Sequence, residues 1–136
     1  MFERPREPHA VVIVDDDAGM RRLVADVLAA GRYRLLEAAD GDAAWALVRA
    51  HRPAVVVCDG VMPGRSGAEL VRAIRAEPGL AATHVILVSG AAAADDLEAI
   101  RSCGADRLLP KPFSAAALAR AVAEGVAGGG LRARRG

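Results

Sequence analysis

Short apolar runs alternate with longer amphipathic segments along the chain, and this alternation restricts its fold more than any other feature. Each run holds three to six residues rich in β-branched and leucine side chains, as in a strand that is buried on both faces. The runs occupy residues 10–14, 33–38, 54–58, 84–88 and 107–109. Strands that alternate with helices at this spacing predict an α/β fold, in which helices cover both faces of a parallel sheet.

The segments between these runs repeat apolar residues at helical spacing and carry start and stop signals for helices. They predict helices over residues 20–30, 40–51, 66–76, 93–103 and 114–126. Gly31 and Pro53 are expected to end the first two helices, and Ser114 is expected to cap the last one. The prediction is therefore a sheet of five strands with five helices.

The 136 residues, of which 53% are hydrophobic, are expected to form one domain. We expect an N-terminal extension over residues 1–8, the domain over residues 9–127 and a flexible tail of glycine and arginine over residues 128–136. The 18 basic and 17 acidic residues leave a formal charge of +1, so neither a nucleic-acid partner nor a membrane surface is expected. No apolar run approaches the roughly 18 residues that cross a bilayer, and no signal peptide is evident, so we expect a cytoplasmic location.

Residues that can carry chemistry follow four of the five predicted strands. In an open parallel sheet, ligands bind beyond the carboxyl ends of the strands, near the point where strand order reverses. The residues found there are Asp15, Asp16 and Asp17 after the first strand, Asp59 after the third, Ser89 after the fourth and Lys111 after the fifth. Lys111 is the single lysine beside 17 arginines, and a compact ammonium group approaches a phosphate as a point charge.

Carboxylates that meet at one edge of a sheet repel each other, and a hard divalent cation such as Mg²⁺ relieves that repulsion. With a cation present, one carboxylate can attack phosphorus and form an acyl phosphate, while a lysine and a hydroxyl neutralise the phosphoryl oxygens. Taken singly, the same residues have plainer roles: Asp17 can cap the helix that follows it, and Lys111 can be a solvated charge. Their joint arrangement favours phosphoryl chemistry.

Four segments resemble the signature segments of the receiver domain of two-component response regulators. They are VIVDDDAGMRRLV, VVVCDGVMPGRSGAEL, VILVSG and GADRLLPKPF, in this order along residues 9–127. The resemblance implies a doubly wound, flavodoxin-like parallel sheet with strand order 2-1-3-4-5. It also implies a bacterial phosphoprotein that catalyses its own phosphorylation and dephosphorylation and is not an enzyme with independent turnover.

The resemblance further implies a role for each residue at the strand ends. The implied roles are phosphoacceptor for Asp59, Mg²⁺ ligands for Asp15, Asp16, Asp59 and the backbone carbonyl of Val61, switch hydroxyl for Ser89, and partner of the phosphoryl oxygens for Lys111. The bond between Lys111 and Pro112 is expected to be cis.

The implied partners are a histidine kinase or a histidine phosphotransfer protein as phosphoryl donor, and an output protein that the sequence does not identify. The implied output surface combines the fourth helix, the fifth strand and the last helix, and a homodimer is left open. Leu108 stands where many members carry an aromatic switch residue. Because that aromatic residue is missing, we expect an output change that is either muted or transmitted differently. Val61 and Ala91 are apolar where some members carry polar side chains that assist water attack, so we expect slow loss of the phosphoryl group.

Three alternatives remain beside this interpretation. A pseudo-receiver would keep the fold and bind partners without phosphorylation. A phosphohydrolase of the haloacid dehalogenase type would use Asp15 and Asp17 as its first motif, but that hypothesis gives Asp59 no role. A nucleotide-binding protein of flavodoxin-like fold is disfavoured, because no glycine-rich phosphate loop follows the first strand.

Overall fold

Five parallel strands form a single sheet in the computed structural model, which describes residues 8–62, 65–90 and 102–135. The strands are β1 (His9–Val14), β2 (Tyr33–Ala38), β3 (Val55–Asp59), β4 (His84–Ser89) and β5 (Arg107–Pro110). Their spatial order is β2-β1-β3-β4-β5, which confirms the predicted order 2-1-3-4-5. The predicted strands agree with the observed ones to within one residue at each end.

The register of the sheet aligns the carboxyl ends of its central strands. Val14, the last residue of β1, pairs with Cys58 of β3. Asp59 pairs with Val88 of β4, and the next residue of β4 closes the pairing with β5. The loops that follow these strands therefore leave the sheet at one edge, and the residues at their start are brought together.

Three helices with polar caps follow the first three strands: α1 (Ala18–Leu28), α2 (Gly41–His51) and α3 (Gly67–Ala76). Asp40 caps α2 by accepting the N–H of Ala43 at 2.7 Å. Ser66 and Glu69 form a capping box at the start of α3, in which each side chain accepts the backbone N–H of the other residue. A short 3₁₀ turn (Pro78–Leu80) then leads into β4.

The first and last helices differ from the predicted bounds. α1 begins at Ala18 rather than at residue 20 and ends at Leu28, three residues before Gly31. The C-terminal helix (Ala115–Arg135) continues past residue 126, so its backbone is helical through much of the segment predicted to be a flexible tail. Alanine, leucine and arginine favour the helix, and each added turn supplies backbone hydrogen bonds that offset the cost of glycine. The predicted helix over residues 93–103 lies almost entirely outside the described residues.

Two apolar layers cover the faces of the sheet, because successive strand residues point to opposite sides. The layer beneath α2 and α3 contains Val12, Val56, Leu87, Val48, Leu70 and Ile74. The layer beneath α1 and the C-terminal helix contains Val11, Ile13, Val57, Ile86, Leu28 and Leu118. All twelve side chains are at most 2% exposed, so the strand ends are held on a closely packed support. No helix in the described part of the chain has the length and apolar composition needed to span a membrane.

Candidate functional site

Three carboxylates meet where β1 and β3 end. Asp15 and Asp16 follow β1 directly, and Asp59 is the last residue of β3, the strand beside it. One carboxylate oxygen from each residue lies within 4.8 Å of the others. The sequence prediction that these three residues form one cluster is therefore confirmed as a matter of position.

Asp15 is the buried member of the cluster, with 6% of its surface exposed. Burial is the largest cause that raises the pKa of Asp15, and the negative charge of Asp59 adds to it. The backbone N–H of Asp17 donates to Asp15 Oδ1 at 2.9 Å, and this hydrogen bond acts in the opposite direction by lowering the pKa. The net rise means that burial costs the charged form of Asp15 more than its hydrogen bond returns, and a nearby cation would offset that cost.

Asp17 has a different task from its two neighbours. Its Oδ1 accepts the N–H of Gly19 at 2.8 Å and that of Met20 at 3.3 Å, which makes it the N-cap of α1. This capping explains why α1 begins before residue 20. Because the three clustered carboxylates are those of Asp15, Asp16 and Asp59, the structure gives no support to a first motif built from Asp15 and Asp17.

The carboxylate of Asp59 is held at both oxygens. Its Oδ1 accepts the backbone N–H of Val61 at 3.1 Å, and its Oδ2 lies 3.4 Å from the Nζ of Lys111. The side chain of Asp59 is 12% exposed and that of Lys111 is 27% exposed, so solvent reaches the pair from one side. A carboxylate oxygen with this limited exposure is accessible to a small group and is partly screened from bulk water.

The position of Lys111 depends on β4 and on the turn that follows β5. Its backbone N–H donates to the carbonyl of Ser89 at 2.7 Å, and its bond to Pro112 is cis, as predicted. Ser89 is buried, and its hydroxyl donates to the carbonyl of Gly90 at 3.1 Å. β4 thus delivers both the hydroxyl and the anchor of the lysine to the edge where Asp59 lies.

Gly67, the first residue of α3, allows this helix to approach the site closely. A Cβ at this position would lie 2.6 Å from the carbonyl oxygen of Asp59 and 2.9 Å from the Cα of Gly60. Its N–H donates to the carbonyl of Gly60 at 3.3 Å. The start of α3 and the end of β3 therefore form one structural unit beside the site.

Arg21 is a site neighbour that the sequence analysis did not select. It lies in the second turn of α1, and its Nη1 donates to the backbone carbonyl of Asp15 at 2.7 Å. Its Nε lies 3.5 Å from a carboxylate oxygen of Glu37 near the end of β2. The spacing of Asp15 and Arg21 could have indicated this contact, since a helical residue six positions after Asp15 points back to the strand end. The acceptor is a backbone carbonyl, however, and such a contact does not require a particular residue type at the acceptor position.

The donor set of the cluster fits Mg²⁺. Three carboxylates supply hard oxygen ligands, which this cation prefers. Asp16 is exposed and leaves room for the water molecules that Mg²⁺ usually retains. In the described residues, Lys111 pairs with Asp59 alone in this group, so the three acids carry more negative charge than the lysine offsets.

A family model for the response regulator receiver domain matches residues 11–123 of the chain. The chain belongs to this family. Because the match includes β1, β3, β4 and β5, it covers every strand end from which the site is built.

The receiver resembles bacterial proteins of several kinds. It is 33% identical to the chemotaxis protein CheY of Pseudomonas aeruginosa over 79% of this chain and 88% of that protein. It is 31% identical to the phosphate regulon transcriptional regulatory protein PhoB of the same species and 38% identical to the virulence sensor protein BvgS of Bordetella pertussis, over 76% and 91% of this chain. The match spans only 45% of PhoB and 10% of BvgS.

Solved structures show the same fold. The receiver superposes on the signal receiver domain of a signal transduction histidine kinase from Syntrophus aciditrophicus with a TM-score of 0.84, 26% identity, and coverage of 88% of this chain and 91% of that one. For the chemotaxis response regulator CheY4 of Vibrio cholerae, the TM-score is 0.79 at 27% identity, with coverage of 87% and 98%.

Two of the three departures noted in the sequence lie in the described residues of the receiver. Val61 is 73% exposed, and its backbone N–H donates to Asp59 Oδ1. Leu108 is partly buried and packs against the apolar layer beneath α2 and α3, so its side chain already points inward. Ala91 lies outside the described residues.

Proposed function

We propose that this receiver accepts a phosphoryl group on Asp59 from a histidine kinase or a histidine phosphotransfer protein and thereby changes its binding to an output partner. One observation carries the proposal: the Asp59 carboxylate lies 3.4 Å from the ammonium group of Lys111, and one of its oxygens lies within 4.8 Å of carboxylate oxygens of Asp15 and Asp16. This is an arrangement of nucleophile, cation and metal ligands that suits phosphoryl transfer.

Asp15, Asp16, Asp59 and the backbone carbonyl of Val61 are the groups that would hold Mg²⁺. When bound, Mg²⁺ neutralises negative charge on the carboxylates and on the phosphoryl oxygens. The raised pKa of Asp15 supports this assignment, because a buried and uncompensated carboxylate gains from a neighbouring cation. Asp17 is excluded from the set by its role as helix cap.

In the transfer step, a carboxylate oxygen of Asp59 attacks the phosphorus of a phosphohistidine. The new P–O bond forms as the P–N bond breaks, and the departing imidazole nitrogen keeps the electron pair of that bond and takes up a proton. The N–H of Val61 holds Asp59 Oδ1 in place, which restricts the rotation of the carboxylate during attack. Lys111 exchanges its contact with Asp59 for one with a phosphoryl oxygen.

Ser89 and a surface formed by the helix predicted over residues 93–103, β5 and the C-terminal helix would carry the signal out of the site. The Ser89 hydroxyl donates to the carbonyl of Gly90 in this structure, so it must leave that acceptor to reach a phosphoryl oxygen on Asp59. Such a move shifts the loop after β4, and a loop with two arrangements can alter the neighbouring surface. Leu108 already lies inward, so we propose that the loop carries the change without a side-chain swing at this position.

We further propose that the protein acts in the cytoplasm and has no turnover beyond its own phosphorylation and dephosphorylation. Incubation with a small acyl phosphate and Mg²⁺, followed by intact-mass analysis, tests the central step. Wild type should gain one phosphoryl group, and Asp59→Asn should gain none. Asp17→Asn is the matched control, because it removes one carboxylate from the loop that holds Asp15 and Asp16, and asparagine remains a good N-cap.

The control variant should be labelled like wild type. Absence of labelling in wild type, under conditions that label another receiver, would favour a pseudo-receiver that binds partners without phosphorylation. Labelling of wild type that persists in Asp59→Asn would show that the acceptor is a different residue.

A further inference from the structure

We propose that Arg21 is a positioning residue for the acidic cluster, whose guanidinium fixes the peptide between Asp15 and Asp16 and so sets how both carboxylates face Mg²⁺. This inference rests on the proposed function, since it concerns the same cation site. Arg21 touches neither the carboxylates nor the phosphoryl group in this account. It acts through the backbone.

One side chain joins three parts of the fold at this point. Arg21 extends from α1, donates from Nη1 to the Asp15 carbonyl at 2.7 Å and places Nε 3.5 Å from Glu37 Oε1 at the end of β2. The Arg21 side chain is 20% exposed, so solvent competes weakly for its donors. A hydrogen bond from a charged donor at this distance is stronger than one between neutral groups.

The carbonyl that Arg21 holds controls the direction of the next side chain. The oxygen of Asp15 and the nitrogen of Asp16 lie in one rigid peptide plane, so any rotation of this plane changes the backbone angles of both residues. Holding the oxygen therefore limits where the Asp16 carboxylate can point. Groups that orient metal ligands from outside the coordination sphere affect metal affinity strongly.

In the described part of the chain, three hydrogen bonds restrain Asp15, and Arg21 provides the one that a substitution elsewhere can remove. The Asp15 N–H donates to the Ala38 carbonyl at 3.2 Å, and Asp15 Oδ1 accepts the Asp17 N–H at 2.9 Å. Apart from Asp15 Oδ1 itself, these two contacts use backbone groups, which the Arg21 and Arg22 variants retain. The third contact comes from the side chain of Arg21.

The positioning effect and the charge effect of Arg21 on Mg²⁺ affinity have opposite signs. A guanidinium near the cluster repels a dication, so loss of the charge alone would strengthen Mg²⁺ binding. Loss of positioning would weaken it, because the repelling carboxylates would spread apart. The direction of the change therefore distinguishes the two roles.

Arg22 offers a matched control. It is the next residue of α1, its side chain is 81% exposed, and it pairs with Asp26 one turn later at 3.4 Å. Arg21→Gln and Arg22→Gln remove the same charge from the same helix, and only the first removes the contact with Asp15. Titration calorimetry of the metal-free protein with Mg²⁺ should show binding about tenfold weaker for Arg21→Gln and unchanged or slightly tighter for Arg22→Gln.

Two further measurements separate positioning from general stability. Arg21→Lys should recover part of the affinity, since a lysine can donate to the Asp15 carbonyl but lacks the second arm for Glu37. In the absence of metal, hydrogen exchange of the Asp17 amide should accelerate in Arg21→Gln and not in Arg22→Gln, because that amide donates to Asp15. The lysine variant also keeps the test decisive if Arg21→Gln does not fold.

Mg²⁺ affinity in Arg21→Gln that equals or exceeds that of wild type would overturn the inference. Equal weakening in the Arg21 and Arg22 variants would do the same, since it would point to a loss of stability shared by both variants rather than to the held peptide. Failure of wild type to bind Mg²⁺ would instead count against the proposed function itself. The two failures are therefore distinguishable in one set of titrations.

Discussion

Replacement of Gly67 by alanine is expected to destabilise the protein, because the first residue of α3 lies against the end of β3. The added Cβ would lie 2.6 Å from the carbonyl oxygen of Asp59, whereas ordinary contact begins at 3.4 Å, so the helix or the strand end must move by about 0.8 Å. The two nearest atoms belong to the backbone and cannot rotate away. Overpacking of this kind costs about 1–3 kcal/mol.

Equilibrium unfolding in urea measures this cost. With a slope of about 1–3 kcal/mol per molar urea, the midpoint of Gly67→Ala should fall by about 1 M. Phosphorylation by a small acyl phosphate should also slow, because the displaced carbonyl belongs to Asp59. Gly128→Ala is the control: nothing lies within 4 Å of a Cβ at this helical position, so its midpoint should hold or rise. A wild-type midpoint for Gly67→Ala would refute the close approach of α3 to the site.

Three further substitutions test other parts of the structure. Asp15→Asn should raise the urea midpoint in metal-free buffer, since the pKa of Asp15 is raised and folding therefore disfavours its charge; the gain should shrink as pH falls through that pKa, and a gain that grows on acidification would contradict this reasoning. Val61→Asn should shorten the lifetime of the phosphoryl group, measured as the rate at which the labelled mass disappears. A lifetime of seconds in the wild-type protein would contradict the predicted slow loss. Arg75→Met should lower the free energy of unfolding in urea by about 3–5 kcal/mol, because it removes the ion pair with Asp106, whose side chain is 5% exposed. Arg107→Met is the control: it removes the more exposed pair with Glu124 and should cost less than about 1 kcal/mol.

The strands and their order could be predicted from sequence because burial on both faces demands apolar residues at nearly every position. The run Val55–Cys58 is fully or almost fully buried, so its composition and its environment correspond directly. The ends of the helices were harder to predict from the sequence than the strands. Asp17 was recognised as a candidate cap, but the periodic apolar pattern suggested a later start, and the hydrogen bonds to Gly19 and Met20 decide the bound.

The position of the site could be predicted from the strand topology, but the contacts of the residues that support it could not. Parallel strands end at one edge, so Asp59 and Lys111 could be placed together before any distance was known. The contact of Arg21 could not be predicted, because its acceptor is a backbone carbonyl and nothing in the sequence distinguishes this arginine from the many others in the chain. The need for glycine at position 67 is likewise explained by the Asp59 carbonyl beside it, which leaves no room for a Cβ.

Mapping the phosphorylated residue tests the central claim most directly. The protein would be labelled with a small acyl phosphate and Mg²⁺, reduced with borohydride to convert an aspartyl phosphate to homoserine, and digested for peptide mass analysis. The account predicts homoserine at position 59 alone, and no conversion when Mg²⁺ is removed by a chelator. Homoserine at position 15 or 16, or none under conditions that label another receiver, would contradict the assignment of Asp59 as the phosphoacceptor.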